Sequence, residues 1–253
     1  MSQPGPGELR VRAVTGLPEV VEGMAVGELI AARTELADGD VVVVSQKIVS
    51  KAEGRLRKLS AVTPGEEARR LAALHDKDPA LVELILSESA ELLRAERGVL
   101  IVETHAGWVC ANAGIDTSNL TDPDSVCLLP EDGDASARRI RAELTAASGA
   151  RIGVVVADSF GRAWRIGQAE VAIGCAGLEP LDDWRGRRDS AGRELRATVI
   201  AIADQVAAAA DLVRDKTSGI PAAVLSGLGH RVSEDDGPGA AALRRPRAED
   251  LFR

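Results

Sequence analysis

The chain has 253 residues, 45% of them hydrophobic and 28% charged, a balance that supports a real core and excludes a disordered tail protein. Its 31 basic and 39 acidic residues leave a net charge of −8, with only 2% aromatics and no Tyr, which excludes a general nucleic-acid binder and a base-stacking platform. At ~150 residues per domain, one large domain or two intertwined ones both fit.

In chain order, residues 9–14 alternate weakly, as an opening strand does, and lead into the turn-like GLPEV. Residues 26–34 read as a short helix before an Asp-Gly-Asp turn at 38–40. DVVVVSQKIVSKAEGR then begins with a β-branched run typical of a buried strand. Pro64-Gly65-Glu66-Glu67 starts a helix that runs to about His75, and a second follows around 79–90. GVLIVETHAGWVCANAG reads as two strands joined through Ala106-Gly107, and 135–148 as an amphipathic helix. RIGVVVADSF is another buried strand, 192–214 the longest expected helix, and IPAAVLSGL a last strand. Without strict strand–helix alternation, this order favours an α+β fold.

No run of about 18 apolar residues occurs, and the N-terminal MSQPGPGELR lacks a charged-then-apolar leader, so the expected location is the cytoplasm, without membrane contact. Cys110, Cys127 and Cys175 are odd in number and widely spaced, suggesting neither a disulfide framework nor a zinc site. The three histidines have no metal-binding spacing, and no phosphate-loop, dinucleotide or serine-elbow motif occurs. In so acidic a chain, an anionic ligand needs local Arg/Lys clusters or a metal.

Three polar clusters offer such chemistry. Ser45 to Lys51 follows the VVVV strand, where Lys51 could reach a phosphate or could be a surface lysine at a solvated strand exit. Asn112 to Asn119 places Asp116 and Asn119 beside Gly114, as a carboxylate site for Mg²⁺ or Mn²⁺ or as a simple Asx turn. Ala157 to Gly167 carries Asp158 and Ser159, with oxygens for a cation, then Arg162 and Arg165, with forks for phosphate or carboxylate. Its alternative is a turn with surface arginines.

Together with GLPEV, SKAEGR, NAGIDTSN, DSFGRAWRIGQAEVAIGCAG, DDWRGRRDSAGREL and SGIPAAVLSGLG, these clusters resemble the coenzyme F420:L-glutamate ligase family over nearly the whole chain. The resemblance implies a mixed α/β ligase fold in an intertwined homodimer, with GTP, L-glutamate and the deazaflavin coenzyme F420-0 as partners. It implies Mg²⁺ or Mn²⁺ at two sites, with K⁺ as a further candidate cation. Carried over by position, Leu17, Pro18, Glu19, Val20, Gln46, Lys47, Lys51 and Asn119 would contact GTP. So would the stretch Val213, Arg214, Asp215, Lys216, Thr217, Ser218, Gly219 and Ile220. Asp116 and Asp158 would hold one metal, and Ser159 with Asp215 a second. Ser159 stands where some relatives have Thr, Asp215 where some have Glu, and Ser226 where archaeal relatives are expected to carry Arg.

The resemblance further implies a ligase domain over 1–235, with 236–253 a linker or the start of a nitroreductase-like domain. The implied reaction passes through an acyl phosphate, catalysed mainly by positioning and charge neutralisation. On that footing Asp116, Asp158, Arg162 and Arg165 are the catalytic candidates, although the two arginines rest on chemistry alone. A metal-dependent nucleotide phosphohydrolase and a non-catalytic GTP-binding module are the alternatives.

Overall fold

The computed structural model describes residue 5, residues 7–214 and residues 217–252. Its centre is a five-stranded mixed sheet built around the two β-branched runs of Val41–Val44 and Val154–Val156. The elements before the long crossover are β1 (Arg10–Val14), α1 (Val26–Ala31), β2 (Val41–Ser45) and α2 (Gln46–Ala52). The crossover holds β3 (Leu56–Lys58), α3 (Glu66–His75), α4 (Pro79–Ser87), β4 (Ser89–Glu96), β5 (Val99–Thr104), β6 (Val109–Ala111), β7 (Ser125–Cys127) and α5 (Gly133–Ser148). After it come β8 (Gly153–Arg162), β9 (Arg165–Ala176), β10 (Leu181–Asp183), β11 (Val199–Ala201), α6 (Ile202–Asp211) and β12 (Ala222–Ser226).

The central sheet has the order β1-β12-β2-β8-β9. Only β2 and β8 pair in parallel, Val41 opposite Gly153 and Ser45 opposite Ala157. A parallel pair cannot be joined by a hairpin, and here α2 and the long crossover from β3 to α5 make the connection. Both faces of the sheet are covered, which is why β2 is apolar without alternation. Val42, Val44, Val154 and Val156 pack on one face against Val26 and Ile30 of α1, Ile48 of α2 and Ile140 and Leu144 of α5. Val41, Val43, Val155 and Leu225 pack on the other against Ala203, Val206 and Ala207 of α6. Within the crossover, α3 and α4 bury a separate cluster against Leu100 and Val102 of β5.

Several expectations are corrected. Residues 192–214 are not one helix: α6 spans only Ile202–Asp211, and the longest helix is α5, with 16 residues. The β-branched Val199 and Ile200 enter β11, paired with β10, and Asp189 accepts from the N–H groups of Ala191 and Arg193 in a turn. The helix around 79–90 stops at Ser87, and β4 begins at Ser89. Strands β4 and β9 have no counterpart in the sequence reading. The architecture as a whole is mixed α/β, as the family resemblance implies. Residues 236–252 pack on the body: Ala240 is fully buried, Arg244 donates to the Ala106 carbonyl, and Arg247 pairs with Glu91 at 2.8 Å.

Two carboxylates satisfy backbone donors of β9. Asp134 of α5 accepts from Cys175 N–H at 2.9 Å. Asp204 of α6 accepts from Ala172 N–H at 2.9 Å, beside Ile173, the extra residue where the β8–β9 register shifts. The start of α5 also touches β9 directly. A Cβ on Gly174 would lie 2.0 Å from the Gly133 carbonyl oxygen, and one on Gly133 2.2 Å from that of Ile173.

Since both clashes meet backbone, Gly174→Ala is expected to cost about 3 kcal/mol or more, the upper end of overpacking effects. Thermal unfolding checks this, and an unchanged Tm would refute the contact. Burial raises the Asp204 carboxyl above its ordinary range, against the opposing pull of the Ala172 N–H. Above the ordinary value of about 3.9, the unfolded chain loses this proton before the native state does. Ionisation therefore removes stability as pH rises through the folded pKa. Replacing Asp204 by Asn should change Tm more favourably at about pH 7 than at about pH 4. A pH-independent difference between the two proteins would contradict this.

Candidate active site

At the carboxyl ends of β2 and β8 opens a cleft of about 1750 Å³, the end of an open sheet at which α/β folds bind ligands. The chain turns directly from β2 into α2 there. Gln46 is buried and accepts from the Ser50 hydroxyl at 2.9 Å. Lys47 and Lys51 lie one turn apart, and each ammonium is met by a carboxylate. Lys47 Nζ is 2.8 Å from Asp116 Oδ2 and donates to the Ser118 carbonyl at 2.8 Å. Lys51 Nζ is 2.6 Å from Glu19 Oε1, with the lysine side chain only 9% exposed. Lys51 is therefore no solvated surface lysine: it is a buried cation at the cleft wall.

Asp116 makes the Asx turn of its segment and an ion pair across the cleft. Its Oδ1 accepts from Ser118 N–H at 2.7 Å, an Asx turn, while its Oδ2 faces Lys47. Burial alone would raise its pKa, but the Lys47 and Ser118 hydrogen bonds outweigh that and lower it. Asp116 is therefore an anion at neutral pH. Asn119 closes the loop in the left-handed region at φ 53°, which Asn tolerates better than most residues.

β8 and β9 form one long hairpin whose outer half leaves the core and lines the cleft. Side chains alternate along β8. Val156 and Phe160 pack on the α5 face and Ala157 on the α6 face, so Asp158 and Ser159 project to opposite faces. Asp158 lies near Cys110, whose thiol it helps to raise. Ser159 is paired across the strands with Glu170 and donates to its Oε1 at 2.5 Å. Glu170 Oε2 in turn meets Arg214 Nη2 at 3.2 Å, with the two side chains 7% and 5% exposed.

Of the GTP-contact candidates, Leu17, Pro18, Glu19, Val20, Gln46, Lys47, Lys51, Asn119, Arg214, Thr217, Gly219 and Ile220 line this cleft. Val213 and Ser218 do not, and Asp215 and Lys216 lie outside the described residues. Asp116, Asp158 and Ser159 line it too. Arg162 sits at its edge and donates to the Ile166 and Gly167 carbonyls of its own hairpin. Arg165 stands outside the lining, past the tight turn at Ala163–Trp164. Ser226 is at the opposite end of the sheet, bonded to Asp40 at 2.6 Å.

Glu170 escaped the sequence reading. Its signal is an acid inside an Ala/Val-rich run, which points to Ser159 only after the hairpin register is known.

The donors suit a hard divalent cation, being carboxylate and hydroxyl oxygens with no thiolate or imidazole. Among the described residues no three His, Cys, Asp or Glu side chains converge as a metal nest. The cysteines are no nucleophiles: burial pushes Cys110 and Cys175 up to about 12 and Cys127 to about 11. No helix among the described residues is long and apolar enough to cross a membrane.

A family model described as F420-0:Gamma-glutamyl ligase matches residues 16–227. Coenzyme F420:L-glutamate ligase of Methanothermobacter thermautotrophicus is 42% identical, over 95% of this chain and 97% of its own. The protein of that name from Methanopyrus kandleri is 42% identical, over 97% and 98% respectively. That from Archaeoglobus fulgidus is 42% identical, over 87% and 88%. With a match over most of the chain and a cleft at the end of the sheet, the chain belongs to the F420-0:gamma-glutamyl ligase family and is a ligase.

Proposed function

We propose that this ligase adds L-glutamate to coenzyme F420-0 and then extends it by γ-linked glutamate, using GTP and releasing GDP and phosphate. The observation that carries the reading is one cleft lined by three buried or half-buried cations, Lys47, Lys51 and Arg214, each already matched with a carboxylate. An anionic nucleotide can enter such a site without first ordering mobile side chains, so positioning and charge neutralisation supply the catalysis. The coenzyme carboxylate attacks the γ-phosphorus of GTP, and an acyl phosphate and GDP form. The glutamate amine then attacks the acyl carbon, the carbon–oxygen bond breaks, and phosphate leaves.

Lys47 and Lys51, on one face of α2, hold phosphate oxygens, and the loop at Leu17–Val20 contacts the nucleotide. Asp116 and Asp158 would hold one Mg²⁺ or Mn²⁺, and Ser159 with Asp215 a second, with K⁺ a further candidate; the bound cations supply charge neutralisation. The acidity of the chain makes such cations necessary where triphosphate and carboxylates meet. The enzyme works as a homodimer in the cytoplasm.

Mass spectrometry of the coenzyme after incubation with GTP, L-glutamate and Mn²⁺ should show successive glutamate additions. ATP should compete poorly. Phosphate release at the same rate without coenzyme would favour a phosphohydrolase, and tight GTP binding with no product a non-catalytic module. Asp116→Asn and Asp158→Asn should each lower kcat about a hundredfold or more while circular dichroism is unchanged, the scale of losing one charge-stabilising group. Wild-type rates at limiting metal in either variant would remove that residue from the site.

A further inference from the structure

Arg214 holds an unusual position. Its side chain is 5% exposed, yet it lines the cleft. Nη2 pairs with Glu170, and Nη1 donates to the Pro221 carbonyl at 3.4 Å. Nε is buried with no hydrogen-bond partner among the described residues. A buried donor left unpaired is costly, and one that borders a cleft is a place where a ligand oxygen can complete it. A guanidinium is best matched there by an anionic oxygen, of phosphate or carboxylate.

A guanidinium can be kept this far from water only if a counter-charge is fixed beside it, and Glu170 provides that charge. Glu170 has a second task. By accepting the hydrogen of Ser159 Oγ, it turns that hydroxyl so that its lone pairs, not its hydrogen, meet an arriving cation. One carboxylate therefore sets the direction of two groups of opposite use, a donor for an anion and an acceptor for a cation. The cross-strand pairing of Ser159 with Glu170 and the position of Arg214 just after α6 bring the three together.

We propose that Glu170 is a positioning residue of the cleft, which aims Arg214 at an anionic oxygen of the nucleotide and Ser159 at the divalent cation accompanying it. The proposal rests on the nucleotide-dependent reading above and adds a residue to it.

The test is Glu170→Gln in the full chain. The amide keeps the shape but cannot offer two anionic acceptor oxygens. GTP affinity is measured by calorimetry, and Mn²⁺ affinity by electron paramagnetic resonance with GTP present, without coenzyme or glutamate. Both should weaken about 10–100-fold, the usual effect of losing a group that orients a ligand. A folded variant with wild-type affinities for both would overturn the proposal, since a scaffold role lowers Tm but leaves the folded protein's affinities alone. Should Glu170→Gln fail to fold, Glu170→Asp decides. It keeps the counter-charge for Arg214 on a shorter stem, so Mn²⁺ affinity should fall at least 10-fold, and wild-type Mn²⁺ affinity would overturn the proposal. Wild-type protein that binds no GTP in the same experiment would instead sink the nucleotide reading, and this inference with it.

Discussion

The parallel pairing of β2 with β8 is the constraint on which the rest of the molecule hangs. It sets the ends of two strands side by side, so that the start of α2 and the outer half of β8 face one another across the cleft. It also requires a long crossover, and this chain uses that crossover chemically: the loop carrying Asp116 belongs to it and returns to the sheet end to meet Lys47. Burial of both faces holds the frame. The β-branched residues of β2 have helices above and below, and its polar continuation into α2 forms part of the cleft wall.

Electrostatics at the cleft follow from a net charge of −8. Free cations could not by themselves outweigh that background, and the lysines and the arginine of the wall are neutralised locally by Asp116, Glu19 and Glu170. Each pair is ordered without a ligand. The pairs differ in solvent access: Glu19 is 69% exposed whereas Glu170 is 7% exposed. The first can swing away cheaply, whereas the second is fixed by its strand.

Much of this was legible in the residues. Strands β2, β8 and β12 announce themselves through their apolar residues, and the polar residues at the carboxyl ends of β2 and β8 mark the cleft end of the sheet. What was hidden depends on pairing. The outer part of β9, Arg165 to Gln168, is exposed and lacks an apolar face, so no periodicity betrays it. Its register on β8 follows from the turn at Ala163–Trp164 together with the irregularity at Ile166–Gly167, and Glu170 becomes meaningful only through that register. Residues 192–214 misled because three- and four-residue apolar spacing continues through Val199 and Ile200, which tertiary pairing claims for β11. Arg162 likewise depends on pairing, since Nε and Nη2 donate to carbonyls at the irregular end of its own hairpin.

The long crossover also bears on how the molecule is made. Val41 and Gly153 become neighbours only after everything between them has been ordered or tethered, and closing so large a loop is entropically expensive until sheet contacts reward it. The crossover has its own apolar cluster around Leu71, Ile85 and Leu100, which can collapse locally and shorten the effective loop. The cleft, with Asp116 on one side of that closure and Asp158 on the other, is therefore among the last parts of the chain to assemble. A nascent chain that has emerged only as far as α5 holds Lys47 and Asp116 but lacks β8, so the cleft wall that carries Asp158 and Ser159 is added only later in synthesis.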